Sequence, residues 1–305
     1  MSTALSGVDL QADAVEIGEH VRFGEGVRIR GRRVVIGSHT TISDGVQIHA
    51  PDGFELGPCS FLGSRVRISC WRFTAGSYLW AESGVEIGRG GHFSTPESTV
   101  MLGRGVFLGP RVVLNPNSPL TVGDETGLGA GVGVWTHGAY LPMTEGFPVK
   151  FAPVSIGSKV WLPGQTQVLP GVSIGDHVVV GMMSLVNKDL PAGCLAGGVP
   201  VKVLRENAFP APVDLPALIN KLRAEYRALA SWKSLNVTLD PFDRGLQVMA
   251  AAGTTVFDFE GMQMKGPASP EAEDFRDFLR RRGIRFFTGL PFRPYHHPLV
   301  QKWMG

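Results

Sequence analysis

Aliphatic residues recur every six positions over long stretches of this chain. They stand at Ile156, Leu162, Val168, Ile174, Val180 and Val186 without a slip, and the residue four places on is Val160, Thr166, Val172, Val178 and Ser184 through the first five. Neither a helix nor an alternating strand produces that spacing. The register returns at Ile17 and Phe23, Ile36 and Ile42, Leu56 and Leu62, Leu102 and Leu108, and Val122 and Leu128, again with Val, Thr or Ser four places on. A unit of one short strand and one turn, burying one aliphatic side chain, fits the period. Three units close a triangular coil of about 18 residues, and stacked coils share a continuous core because no unit is stable alone. The stretch from Val15 to about Leu204 then makes roughly nine coils, a prism on the order of 43 Å tall at the usual strand spacing.

Two departures interrupt the repeat. Between Ile68 and Met101 the register blurs, although Phe73, Leu79 and Val85 keep the period with Ser77 and Ser83 at their fourth places. The coils are expected to continue there, with an irregular excursion around Gly90 to Ser98. The second break is sharper. After Val134 the repeat stops, and Gly138 to Pro153, carrying Pro142, Gly146, Pro148 and Pro153, must leave the prism as a loop. A loop of that length in a compact repeat is expected to be functional.

Beyond Arg205 the composition changes. Leu215 to Trp232 has helical spacing, Thr254 to Phe259 reads as a strand, Pro270 to Arg282 as a capped helix and Ile284 to Thr288 as another strand. The expected organisation is an N-terminal segment 1–14, a repeat region 15–206 with its loop 138–153, and a small α/β domain 207–305 whose apolar helix stripe packs on the last coils.

Charge and cysteine usage exclude several classes. A net charge of +2, from 29 basic and 27 acidic residues, provides no field for gathering nucleic acid or an anionic membrane. The first residues lack the basic and apolar regions of an export signal, and no run of about 18 apolar residues occurs, so the chain reads as cytoplasmic. Three cysteines, Cys59, Cys70 and Cys194, are an odd number without CxxC spacing. Free thiols in a reducing compartment fit them better than a disulfide framework or a zinc site.

The stretch PVSIGSKVWLPGQTQVLPGVSIGDHVVVGMMSLVNKDLPAGCLAGGVPVKVLRE, from Pro153, resembles the C-terminal coils of the hexapeptide-repeat acyltransferases, among them the galactoside, maltose, serine and polysaccharide O-acetyltransferases. The resemblance implies a left-handed β-helix, a homotrimer, and acetyl-CoA or another acyl-CoA bound in the cleft between neighbouring prisms. In that family a histidine stands just before an extended loop and upstream of the coil that opens like Ile156 to Trp161. Trp135-Thr136-His137-Gly138 holds that place here, so His137 inherits the role of general base. An imidazole of ordinary pKa near 6.5 can take a proton from a sugar hydroxyl at neutral pH. His20, His39 and His177, like His137, stand three places after a repeat aliphatic, which is otherwise a solvated corner.

The same resemblance carries other positions over. Asn115 matches an acceptor-binding asparagine, with turn formation as the plainer role for that residue type. The amide of Gly164 matches a donor to the developing oxyanion, and a repeat turn equally calls for glycine. On the acyl-CoA side stand Trp161, Met182, Asn187, Lys188, Lys202 and Arg205; fixed cations suit coenzyme A phosphates. Asn187 departs from the threonine usual at its place. Tyr78, Trp80, Trp135 and Trp161 flank inward residues and are expected to point outward, to a subunit interface or an acceptor sugar.

The function expected is acyl transfer to a hydroxyl of a sugar, glycan or glycolipid precursor, without a metal. N-acetyl transfer to an amino sugar and a non-enzymatic β-helix binding protein remain open. A zinc lyase on the same prism requires three converging histidines, and none follows His137 until His177.

Overall fold

The computed structural model describes residues 7–88, 95–293 and 295–302. The chain falls into two compact units, Met1–Ala211 and Pro212–Gly305. In the first, short strands build three ladders, faces A, B and C, with nine, eight and ten strands among the described residues. The chain runs from B to C to A and back to B, so each circuit adds one rung to every face. Pairing is parallel except at the end of face C, where Leu195–Gly197 meets Lys202–Arg205 antiparallel. This is a left-handed parallel β-helix of about 9 turns followed by a small α/β unit, the class the family resemblance implied.

Each six-residue unit buries two side chains, not the one expected. Ile156, Val160, Leu162, Thr166, Val168, Val172 and Ile174 are all inside. The fourth position admits Thr and Ser because its hydroxyl finds a carbonyl at the adjacent turn: Thr166 Oγ1 donates to Pro163 O (2.8 Å), Ser184 Oγ to Gly181 O (2.7 Å) and Thr126 Oγ1 to Gly157 O (2.7 Å). A buried hydroxyl so paired escapes the penalty of desolvation.

The corners demand left-handed backbone. His39, Cys59, Tyr78, Arg65 and Gln165 have φ between 59° and 65°, a conformation that costs a non-glycine residue roughly 1–2 kcal/mol. Stacking offsets the cost, since each corner amide donates to the corner beneath: His39 N to Glu19 O (2.8 Å), Cys59 N to Ser38 O (2.9 Å), Tyr78 N to Pro58 O (2.9 Å).

Two inward positions per unit explain a register error. In the blurred stretch Ala75, Ala81 and Ile87, not Phe73, Leu79 and Val85, pair with the aliphatic positions Leu56, Leu62 and Ile68. Phe73, Leu79 and Val85 are buried two places earlier, so Ser77 and Ser83 do not take the fourth position. A shift of two residues keeps side chains on the same face of a strand and is therefore invisible to hydrophobicity alone. Tyr78 is also corrected: it lies at a left-handed corner and is buried, whereas Trp80 is half-buried against Phe61. At the N-terminal end the ladder starts earlier than residue 15, because Val8–Gln11 already pairs with Val27–Gly31. Leu10 stands seven residues before Ile17, outside a strict period of six.

That extra residue belongs to a pattern. Every described step from B to C and from C to A spans six residues, as in Ile17 to Phe23 to Ile29 and Ile156 to Leu162 to Val168. From A to B it spans seven at Leu10 to Ile17, eight at Ile48 to Leu56, fifteen at Ile87 to Leu102 and twenty-two at Val134 to Ile156. All surplus chain therefore leaves along one edge. Of the excursion expected at Gly90 to Ser98, residues 90–94 lie outside the described residues.

The second unit has its own core. Helix α1 (Leu215–Trp232) is capped by Asp214, which accepts from Ala217 N (3.0 Å), and buries Ile219, Leu222, Tyr226 and Ala230. Four antiparallel strands follow, Thr238–Phe242, Gly245–Ala250, Gly253–Asp258 and Gln263–Lys265, then helix α2 (Pro270–Arg280). Only the third of these strands was expected. The strand expected at Ile284 to Thr288 does not form. Arg276, wholly buried and paired with Glu273, donates instead to the carbonyls of Phe286, Leu290 and Pro291 and to Thr288 Oγ1. A guanidinium thus satisfies acceptors that a neighbouring strand would otherwise take.

Candidate active site

The site is built around Thr136, the residue after the face A strand Gly133–Trp135. Its buried hydroxyl donates to Asn115 O (2.8 Å) one rung below and accepts from Asn117 N (2.7 Å) and Ser118 N (2.9 Å). Its carbonyl accepts from Ala152 N (3.0 Å), where the extruded loop returns. One side chain and its backbone therefore join the turn of the coil below to both ends of the loop.

His137 is the first residue outside the coil. It pairs antiparallel with Phe151, and Gly138 with Lys150, so the loop closes at its base as a two-rung hairpin. The imidazole stacks on Phe151 with ring centroids 5.8 Å apart and planes 17° apart. Its Nδ1 is buried and has no hydrogen-bond partner among the described residues. Burial lowers its pKa below the ordinary imidazole value, because the protonated ring loses hydration. The corner register suggested for it does not hold. His20, His39 and His177 take left-handed φ of 58°, 60° and 57° at corners between faces B and C, whereas His137 starts an antiparallel strand at the insertion edge.

Asn115 is buried and is the Cα partner of Trp135, so it lies directly below the His137 junction. Asn187 and Lys188 are exposed on the same edge two rungs further on, next to Asp189, which accepts from Ser173 N (2.8 Å). Gly164 and Met182 lie elsewhere, at the edge between faces C and A. A Cβ on Gly164 would stand 4.0 Å from Met182 Cε, and its carbonyl accepts from Met183 N (3.1 Å). Trp161 is 42% exposed on face C, its ring lying over Gly127, where a Cβ would be 2.8 Å from two ring carbons. Lys202 and Arg205 are exposed on the last strand of that face, with Arg205 5.9 Å from the Phe209 ring centre. One prism thus brings Asn115 and His137 together and puts the whole width of face A between them and Gly164. Among the described residues no group of three or more His, Cys, Asp or Glu side chains could hold a metal ion.

No protein-family model matches the chain. Over 135 residues it is 30% identical to the galactoside O-acetyltransferase of Escherichia coli strain K12, covering 44% of this chain and 63% of that one. Over 124 residues it is 34% identical to the WcaF acetyltransferase of the same strain, covering 34% of this chain and 68% of that one. The chain belongs to the hexapeptide-repeat acyltransferases. It spans 63% of the first relative's length, less than two thirds. Among solved structures it is similar to a hexapeptide-repeat acetyltransferase of Vibrio cholerae complexed with acetyl coenzyme A, at 24% identity and a TM-score of 0.30, covering 48% of this chain and 69% of that one.

Sequence reasoning overlooked three residues of the loop junction. Thr136 was read only as His137's neighbour. Phe151 gave no signal, being brought to His137 by the hairpin and not by spacing. Gln167 accepts from Trp135 Nε1 (2.9 Å) across Gly133, where a Cβ would clash with Gln167 Oε1 at 2.3 Å. Only the glycine in a strand, which marks a close approach, could have pointed there.

Proposed function

We propose that the chain is an acyl-CoA-dependent O-acyltransferase, in its simplest form an acetyltransferase, acting on a hydroxyl of a sugar or glycan with His137 as general base. The observation that carries this reading is the place of His137: a part-buried imidazole held by a folded-back loop on the one edge where surplus chain gathers. Its lowered pKa keeps the ring neutral at pH 7, ready to accept a proton. With Nδ1 buried, Nε2 is the atom offered to the acceptor, and stacking on Phe151 orients the ring where other enzymes use a carboxylate.

The acceptor oxygen attacks the thioester carbonyl as its proton passes to Nε2. The tetrahedral oxyanion is met by the Gly164 amide, and its collapse releases coenzyme A thiolate, which takes the proton back. Transfer is direct. The three cysteines are buried, and burial pushes the Cys70 thiol up to about 12, far from a ready nucleophile.

Face A separates His137 from Gly164 within one prism, so we assign the two to neighbouring copies in a homotrimer. Trp161, Met182, Asn187, Lys188, Lys202 and Arg205 then contact the acyl-CoA. The outward ladder Phe61, Trp80, Phe107 and Trp161 on face C supports burial against another copy. No described helix is long and apolar enough to cross a membrane. Loss of kcat by about 10²- to 10⁴-fold in a folded His137→Ala protein that still binds acyl-CoA is the expected result. Retained activity in that variant overturns the assignment. Light scattering should give three times 32.8 kDa, and a fully active monomer would refute the shared site.

A further inference from the structure

The 212–305 unit contains a cleft of about 270 Å³ that the transferase reading does not use. Its wall includes Trp232, Phe278, Arg281, Tyr295 and His297. Trp232, the last residue of α1, is 60% exposed, an unusual position for the largest apolar side chain. The His297 ring lies 4.6 Å from the Trp232 ring at a tilt of 34°. The floor is fixed beneath them: Tyr295 N donates to Asp274 Oδ1 (2.7 Å), and Arg282 lies 3.6 Å from the Phe278 ring centre.

The charges around the cleft are already paired. Lys233 pairs with Asp274, Arg282 with Glu225, and Asp277 with both Arg280 and Arg281. Burial alone would raise the Asp277 pKa, but the two guanidiniums outweigh it and hold this carboxyl below the ordinary range. Four cations against three carboxylates leave a single positive charge, shared by the two arginines on Asp277. They still present N–H donors at the rim, where the Arg281 side chain is 62% exposed. An exposed aromatic face beside fixed hydrogen-bond donors, in a cleft of small-molecule size, suits a polyhydroxylated ring.

We propose that this cleft binds a sugar unit, with its ring face on Trp232 and its hydroxyls on the exposed Arg281 side chain. The proposal rests on and deepens the reading of a glycan acceptor. It is tested without acyl-CoA, so that binding is read separately from transfer. Lactose and maltose are titrated into the full-length protein by calorimetry and saturation-transfer NMR, with sorbitol as a polyol that lacks a ring face.

The expected result is weak binding of a disaccharide but not of sorbitol, reduced roughly 3- to 10-fold in Trp232→Ala and largely kept in Trp232→Phe. Arg281→Gln should weaken binding by a similar factor, and His137→Ala should leave it unchanged. No sugar binding, or binding indifferent to Trp232→Ala and Arg281→Gln, overturns the proposal. Binding lost in His137→Ala moves the sugar to the prism edge, which removes this site and leaves the transferase reading intact. A Trp232→Ala protein that binds sugar normally but changes its mass by light scattering gives the surface to protein contact instead.

Discussion

Two edges of the prism keep their six-residue step without exception in the described strands, while the third accepts up to sixteen extra residues per circuit. At the regular edges each left-handed corner donates its amide to the corner below, as Gln165 N does to Ala130 O (3.0 Å) and Lys159 N to Asp124 O (2.8 Å). An added residue there would break the stack above and below it. The third edge lacks the repeated left-handed corner, although backbone amides still reach the next rung, as Arg32 N does to Pro51 O (3.0 Å) and Asp52 N to Trp71 O (2.9 Å). Where its longest loop leaves, a side chain adds a fastener, Thr136 to Asn115, Asn117 and Ser118. Chain can be added between such fasteners without disturbing the rungs. Chemistry in a β-helix thus collects where the repeat tolerates insertion.

The largest test of this contrast is an alanine inserted after Gln165. It turns Thr166 and Val168 away from the core, should cost about 4 kcal/mol or more, and should lower the melting temperature by about 10 °C or more. The same insertion after Thr144, in the exposed loop, should leave the melting temperature within about 2 °C of the parent. Equal effects at the two places would refute the division of the edges. At the far end of the prism, Lys202→Ala combined with Arg205→Ala should raise KM for acyl-CoA by about 5- to 150-fold, the worth of 1–3 kcal/mol of phosphate contact, with a smaller change in kcat. A rise in acceptor KM alone would reverse the donor and acceptor ends.

A smaller effect is expected of Thr136→Val, which keeps the shape but leaves Asn117 N and Ser118 N without their acceptor. Stability should fall by about 1–3 kcal/mol, and kcat should fall more than KM changes, while Thr136→Ser restores both. If Val matches the parent in kcat, the fastener does not position His137. The smallest effect is on pH dependence. Activity requires neutral His137, so kcat/KM should rise with pH through an apparent pKa below the free imidazole value. The unfolded chain binds this proton first as pH falls, so stability declines from the ordinary imidazole pKa down to the depressed folded one and levels off below it. Calorimetry of His137→Asn, which cannot titrate, should lose that decline.

Much of this was legible because each core position repeats. Ile156 to Val186 declared the coil, the break after Val134 declared the loop, and the Leu215 to Trp232 stripe declared a helix whose limits match the structure. The second unit was less legible. Its strands are half-exposed and follow no repeat, and one expected strand gave way to Arg276, whose acceptors lie 10 to 15 residues along the chain.

The sequence by itself determined that successive units must coil and share a core, since an aliphatic residue every six positions has no other way to leave water. It also determined where coiling stops, because Gly138 to Pro153 carries no residue at the required place. Only the tertiary structure decided which of two inward positions each residue takes, that all insertions leave by one edge, and that His137 departs from the corner its spacing implied. Those are contacts between rungs, made by residues some 18 to 36 positions apart in the chain, such as Thr136 with Ser118 and Gln167 with Gly131. No local pattern records them, because a strand looks the same to its own neighbours whichever rung lies beside it.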